Sequence, residues 1–332
     1  FAADGSTVAK STTYDNGITR VADFTDGALT TITRLDNPGA SDGGAKAWDS
    51  IVSTFDASGN ISSDSVVNDN GTSTVTTYNA EGTRTGVVKT DNQTVDGSDL
   101  NTWDTVALTY DGAGNVTERT TTYDNGVVRV DTFTDGVRSS VTMTDNPGAA
   151  DDGVKSWASQ QTTYDAAGNI TQKSVVADDG TETATTFLDG NRATVVMTDS
   201  LLDGGFETWE SITSTYDATG EITQKTRVDD DGSTTIQGYT DGALTAFSVV
   251  DSPVGAGNEI WDRIDTTYAS DGTNTTTTTL TTYDDGVESL DVRVDGVRTQ
   301  RVDTDNSADG SARIWTTSED FFDATGEISG GR

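Results

Sequence analysis

The sequence predicts an all-β fold of six tandem, four-stranded antiparallel units of about 53 residues, set in a stacked or spiralling array. Three observations predict it. Six tryptophans, Trp48, Trp103, Trp157, Trp209, Trp261 and Trp315, recur at spacings of 52 to 55 residues. Seven residues after each stands an aromatic: Phe55, Tyr110, Tyr164, Tyr216, Tyr268 and Phe322. Two series of glycine-ended turns keep the same phase, one at Gly17, Gly71, Gly126, Gly180, Gly232 and Gly286, the other at Gly27, Gly82, Gly136, Gly190, Gly242 and Gly296. A fixed period of this length marks a repeat architecture. The units run approximately 1-54, 55-109, 110-163, 164-215, 216-267 and 268-332, as one array.

The elements of a unit follow in order, and the cycle beginning at Trp157 serves for all. Trp157 to Tyr164 reads as a strand, and Asp165-Ala166-Ala167-Gly168-Asn169 as a turn. Ile170 to Val176 is a second strand, closed by Asp178-Asp179-Gly180. Thr181 to Phe187 is a third, closed by Leu188-Asp189-Gly190, and Asn191 to Asp199 is a fourth. Asp-Gly and Asn-Gly turns between Thr-, Val- and Ile-rich runs are the strongest local hairpin signal. No stretch sustains a 3.6-residue apolar period, so no helix is expected. From the aspartate nine residues past the second glycine to the next Trp is 12 residues in three repeats and 10 in the other three. Length variation belongs in loops, so this stretch reads as a long loop. One further residue is inserted near Ala80-Glu81.

Alternation along the strands is shallow, and Thr275 to Thr279 is unbroken threonine. Such strands build no thick core, so stability must come from contact between repeats. Phe1-Ala2-Ala3-Asp4-Gly5 echoes Phe322-Asp323-Ala324-Thr325-Gly326, so six periods return to the same phase, with strand one at the chain end. Two architectures fit: an open array, or a closed six-bladed β-propeller. Propeller blades need apolar residues on both faces of their central strands, and the Thr- and Asp-rich strands favour the open array.

Composition bounds the function. Of 332 residues, 20 are Lys or Arg and 55 Asp or Glu, for a net charge of −35, with no Cys and no His. Disulfides, the usual zinc and haem ligand sets, and His-dependent triads are excluded. The charge repels phosphate backbones and anionic lipid, so neither nucleic-acid binding nor membrane insertion is expected. No apolar run reaches the length of a membrane-spanning helix. The first residue is Phe1, as expected of a processed product or an excerpt of something longer.

The segment Tyr164-Asp165-Ala166-Ala167-Gly168-Asn169-Ile170-Thr171 resembles the YD repeats of bacterial Rhs-type and wall-associated surface proteins. Phe55-Asp56-Ala57-Ser58-Gly59-Asn60-Ile61 and Tyr216-Asp217-Ala218-Thr219-Gly220-Glu221-Ile222 resemble them too. The resemblance implies hairpin strands winding into a large β-sheet, in an extracellular bacterial protein with a structural, enclosing or adhesive part. Asn or Glu follows the glycine where the family often has Arg, and its self-cleaving and toxin regions are not recognisable.

Two sets of residues are candidates for function. The acidic loops place Asp36 with Asp42, Asp91 with Asp96, Asp145 with Asp152, Asp199 with Asp203, and Asp305 with Asp309. Carboxylates in Gly-containing loops suit Ca²⁺, which takes 6–8 oxygens, and make these aspartates the candidate metal ligands. The tryptophans are assigned to the structural core; sugar-stacking platforms are the alternative. Every polar feature recurs six times, whereas a catalytic site is one place, so no enzyme activity is expected. The resulting expectation is an extracellular structural repeat module, a segment of a bacterial surface fibre, filament or adhesin. It would associate head to tail and meet glycans or cell-surface ligands. A carbohydrate-binding or glycan-cleaving propeller is the alternative.

Overall fold

The computed structural model describes residues 8–37, 46–91, 101–145, 155–199, 208–252, 259–306 and 315–332. These residues form 25 strands and no helix. The chain divides into two compact units, Phe1–Ile170 and Thr171–Arg332. The first holds β1 (Ala9–Thr13), β2 (Thr19–Thr25), β3 (Ala28–Leu35), β4 (Trp48–Phe55), β5 (Ile61–Asn68) and β6 (Ser73–Tyr78). It continues through β7 (Arg84–Thr90), β8 (Trp103–Tyr110), β9 (Val116–Tyr123), β10 (Val128–Thr134), β11 (Val137–Thr144) and β12 (Trp157–Tyr164). The second unit opens with β13 (Ile170–Ala177), β14 (Glu182–Leu188), β15 (Asn191–Thr198), β16 (Trp209–Tyr216), β17 (Ile222–Asp229), β18 (Thr234–Thr240) and β19 (Ala243–Val250). It closes with β20 (Trp261–Ser270), β21 (Thr275–Tyr283), β22 (Val287–Val294), β23 (Val297–Asp305), β24 (Thr317–Phe322) and β25 (Ile328–Gly331).

Within each unit every strand pairs antiparallel with its neighbour in sequence. The first runs from β1–β2 to β11–β12. The second runs from β13–β14 to β24–β25. The pairs β3–β4, β7–β8 and β11–β12 bridge the Asp-to-Trp loops, as do β15–β16, β19–β20 and β23–β24. Consecutive repeats inside a unit are therefore joined by ladder hydrogen bonds. A propeller's blades are separate sheets, so the propeller alternative is set aside. Lean, Thr-rich strands lack the apolar side chains for blade-on-blade packing, whereas ladder bonds need only backbone. The sequence reading of the last unit is also corrected. Its first strand starts at Thr317 rather than at Trp315, and a short β25 follows it.

The turns explain the regularity. At five of the second-series turns an aspartate with φ between 49 and 51° precedes a glycine with φ between 75 and 83°, as at Asp26-Gly27 and Asp135-Gly136. Two consecutive positive φ values define the two-residue hairpin loop whose twist matches the flanking strands. The insertion at Ala80-Glu81 lengthens the sixth to a three-residue loop, with Asn79 N–H donating to Thr83 O at 2.9 Å and Gly82 N–H to Asn79 O at 3.0 Å. Gly82 supplies the single left-handed residue, and Thr77 still opposes Gly86. Sequence reading missed a bulge three residues after each of these glycines, at Thr30, Thr85, Ser139, Ala193, Thr245 and Thr299. Three of the bulged hydroxyls donate across the ladder, Thr30 to Asp23 O at 3.2 Å, Thr245 to Gly238 O at 3.3 Å and Thr299 to Val292 O at 3.1 Å.

Directly opposed residues share a face, so the register sorts the side chains. One row of the first unit contains Ala22, Ile32 and Ser53, then Val87, then Asp131, all buried. On the same face lie Lys10, Arg20, Arg34, Lys89, Arg119 and Arg129, against Asp64 and Asp131. The opposite face is mostly Thr, Ser and Val, with Asp23 and Glu118 among them; Val75 and Val88 oppose one another there, 38% and 44% exposed. Among the described residues few strand side chains are fully buried and most are half-buried.

Candidate functional site

The site is built on the basic face of the second unit, where β20 to β23 lie side by side. Register places three rows there. Tyr268 opposes Thr277, which opposes Arg293. Thr266 opposes Thr279, then Asp291, then Arg301. Ile264 opposes Thr281, then Ser289, then Asp303. Alternation alone puts these hydroxyls and charges on one surface, because residues two apart along a strand share its face. All of these except Ile264 and Asp303 line a groove of about 430 Å³, within the range that holds a small ligand.

The charges are arranged unevenly. Arg293 and Arg298 oppose each other across the Asp295-Gly296 turn. Like charges in register repel, and here the Asp291 carboxylate separates them. Arg293 Nε bonds Asp291 Oδ1 at 3.0 Å, and Arg298 Nη2 reaches Asp291 Oδ2. The Arg298 guanidinium lies 5.5 Å from the centre of the Phe322 ring, and its buried Nε has no hydrogen-bond partner. Arg301 Nε donates to both oxygens of Asp303, at 3.0 and 3.1 Å. That bond holds Arg301 above its ordinary pKa. Three guanidiniums thus share two carboxylates. A second hollow of about 230 Å³ adjoins the groove through Tyr283 and Arg301, and adds Asp285, Asp303 and Trp315.

The first unit carries the same device at the equivalent position. Asp131 is 2% exposed. Its Oδ2 accepts from Arg129 Nε at 2.9 Å, and its Oδ1 from Arg129 Nη2 at 2.8 Å and Arg138 Nε at 2.9 Å. Arg119 opposes it in register. Arg129 is raised above its ordinary pKa, first by the Asp131 hydrogen bond. Sequence reading missed both clusters. The signal was present: Asp-Gly-Val-Arg occurs at 135–138 and at 295–298, each time with an aspartate five residues before the glycine. The arginine two residues after the glycine recurs as Arg84 and Arg192, 5.5 and 5.3 Å from the centres of the Tyr110 and Tyr216 rings.

Five of the ten candidate metal ligands in the acidic loops are described. Asp36, Asp91, Asp145, Asp199 and Asp305 stand at the loop necks. Each donates its backbone N–H to the carbonyl of the residue after the Trp: Asp49, Asp104, Ala158, Glu210 and Thr316, at 2.8 to 3.0 Å. Asp36 Oδ2 also accepts from Lys46 N–H at 2.9 Å, and Asp91 Oδ2 from Asn101 Nδ2 at 3.0 Å. Asp42, Asp96, Asp152, Asp203 and Asp309 lie outside the described residues. Among the described residues no three acidic side chains gather as a metal-binding group. Trp209 is buried, at 7% exposure, while Trp48, Trp103, Trp157, Trp261 and Trp315 are half-buried.

No family model matches the sequence, and no curated protein does. Among solved structures, the chain is similar to one in the crystal structure of TcdB2-TccC3-Cdc42, at 13% identity and a TM-score of 0.19. That match covers 98% of this chain and 20% of the other. A chain of the Tc holotoxin pore of Photorhabdus luminescens matches at 14% identity and a TM-score of 0.20, over 93% of this chain and 18% of that one. A porin-like protein from Bacteroides uniformis matches at 11% identity and 0.16, over 83% and 94%. The chain spans about a fifth of the length of the first of these. TM-scores this low give no shared three-dimensional frame from which a role could be carried over.

Proposed function

We propose that this chain is an extracellular structural repeat module, a segment of a bacterial surface fibre, filament or adhesin. One observation carries the reading: strands pair across repeat boundaries, so that each unit is a continuous meander held by backbone ladders. Such a sheet grows by adding repeats, and its strength along the array lies in backbone ladders rather than in a core. A Thr-rich surface with a high negative charge resists non-specific association. It is also ready to meet other chains at its strand edges.

Association runs head to tail in this reading, through the outer edges of β1 and β25, each of which has a single paired neighbour among the described strands. β25 is four exposed residues, so an incoming strand reaches its outer edge without clearing side chains away. Negative-stain images and sedimentation over a concentration series test the proposal. Rods that lengthen with concentration are expected. Monomers at every concentration up to about 100 μM, the range in which weak strand pairing would become populated, would remove the assembly reading.

A further inference from the structure

We propose that the groove on β20 to β23 binds an acidic saccharide, with a hexuronate in the arginine-lined hollow and a neutral sugar beside Trp315. The inference deepens the adhesin part of the reading above, on which it rests, by naming the ligand.

The charge of the groove points to an anion. Of the charged residues that line it, Arg293, Arg298 and Arg301 outnumber Asp291. A guanidinium has five N–H donors, and each pair here uses one or two of them. A carboxylate is the group whose two oxygens match that planar fork. The overall charge of −35 does not forbid such a ligand, because acids farther than about 8 Å are largely screened at physiological salt.

The lining points to a sugar rather than a peptide or a bare ion. Thr277, Thr279, Thr281 and Ser289 present hydroxyls on the groove floor. Hydroxyls both donate and accept, as sugar hydroxyls do. The adjoining hollow has the opposite electrostatics: Asp285 and Asp303 outnumber Arg301 there. It therefore disfavours a second carboxylate and suits a neutral ring whose hydroxyls donate to the acids. Tyr283 lines both hollows and Trp315 lines the second, so aromatic side chains border the site. The two hollows meet at Arg301, so one disaccharide spans both.

Calorimetric titration of the full chain with cellobiouronate, and with cellobiose as its neutral twin, tests this. Cellobiouronate is expected to bind at one site at least about tenfold more tightly than cellobiose, the usual worth of a charge-assisted bond. Arg298→Gln and Arg301→Gln are each expected to weaken cellobiouronate about tenfold and to leave cellobiose unchanged. Arg192→Gln, outside the groove, is expected to change neither. Equal affinity for the two sugars overturns the proposal, and so does competition by inorganic phosphate as strong as by cellobiouronate. Absence of saturable cellobiouronate binding at about 10 mM, the weak end of recognition by a single sugar site, overturns it as well. Should a variant fail to fold, the comparison of the two sugars on the unaltered chain still decides. Assembly into rods does not involve this groove, so either reading can fail while the other stands.

Discussion

Asp131→Asn is the sharpest test of how this thin fold is held together. The Asp131 side chain is 3% exposed and takes hydrogen bonds from two guanidiniums, Arg129 and Arg138, which are 31% and 43% exposed. Removing one partner of a fully buried ion pair costs about 3–5 kcal/mol, because the other charge is left uncompensated. Here both arginines reach water and regain part of their hydration, which reduces the effect, and the asparagine oxygen keeps one acceptor. The expected loss is about 2 kcal/mol. Asp265→Asn provides the comparison. Asp265 bonds Arg263 at 2.6 Å, but the two side chains are 35% and 52% exposed. An exposed pair of this kind is worth about 0.5 kcal/mol at most. Urea titration followed by circular dichroism reads both variants. Equal midpoints for the two would refute the reasoning, since Asp131 is the more deeply buried and holds a second arginine. A cycle with Arg129→Met and Arg138→Met locates the coupling, as the paired residues should be strongly non-additive.

The aromatic-Asp turns make the protein acid-sensitive in a defined direction. In the Asp165 turn, Oδ1 accepts from Ala167 N–H at 2.9 Å and Asn169 N–H at 2.8 Å, and Oδ2 from the Asn169 side chain at 3.0 Å. These bonds, led by the Asn169 side chain, hold the carboxyl below its ordinary value of 3.8. A depressed folded-state pKa gives stability that is present above the unfolded value and lost as pH falls through the folded one. The melting midpoint of Asp165→Asn is thus expected to lie below that of the parent at neutral pH and to converge with it below about pH 4; a constant gap from pH 7 to 3 would exclude the mechanism. Deleting Ala80 together with Glu81→Asp rebuilds the two-residue turn found in the other five repeats. Cross-strand contacts between Thr77 and Gly86 should survive it in a nuclear Overhauser spectrum, and a shifted register would show that the loop, not the strands, sets the pairing.

Strands, turns and period were legible from local chemistry. Asp189-Gly190 demands two left-handed residues, and only a hairpin provides a place for them. The strands expected at Trp157–Tyr164 and from Ile170 and Asn191 onward form there. The site was legible only in part. Asp36 and its equivalents stood out because they recur, and their backbone N–H groups bond across the loop necks. Asp131 and Asp291 are informative because they do not recur in all repeats, and a search for periodic features passes over them.

By itself, then, the sequence determined the six-fold period, the antiparallel hairpins and the acidic surface, since each rests on residues close together along the chain. The tertiary structure alone decided that strand four of one repeat pairs with strand one of the next across loops of 10 or 12 residues, as at Thr33 and Val52. It alone decided which face buries Asp131 and gathers Arg293, Arg298 and Arg301. The physical reason is register. A slip of one residue in any of these ladders sends every side chain to the opposite face. Which charges share a surface is therefore a property of the pairing, and no single strand contains it.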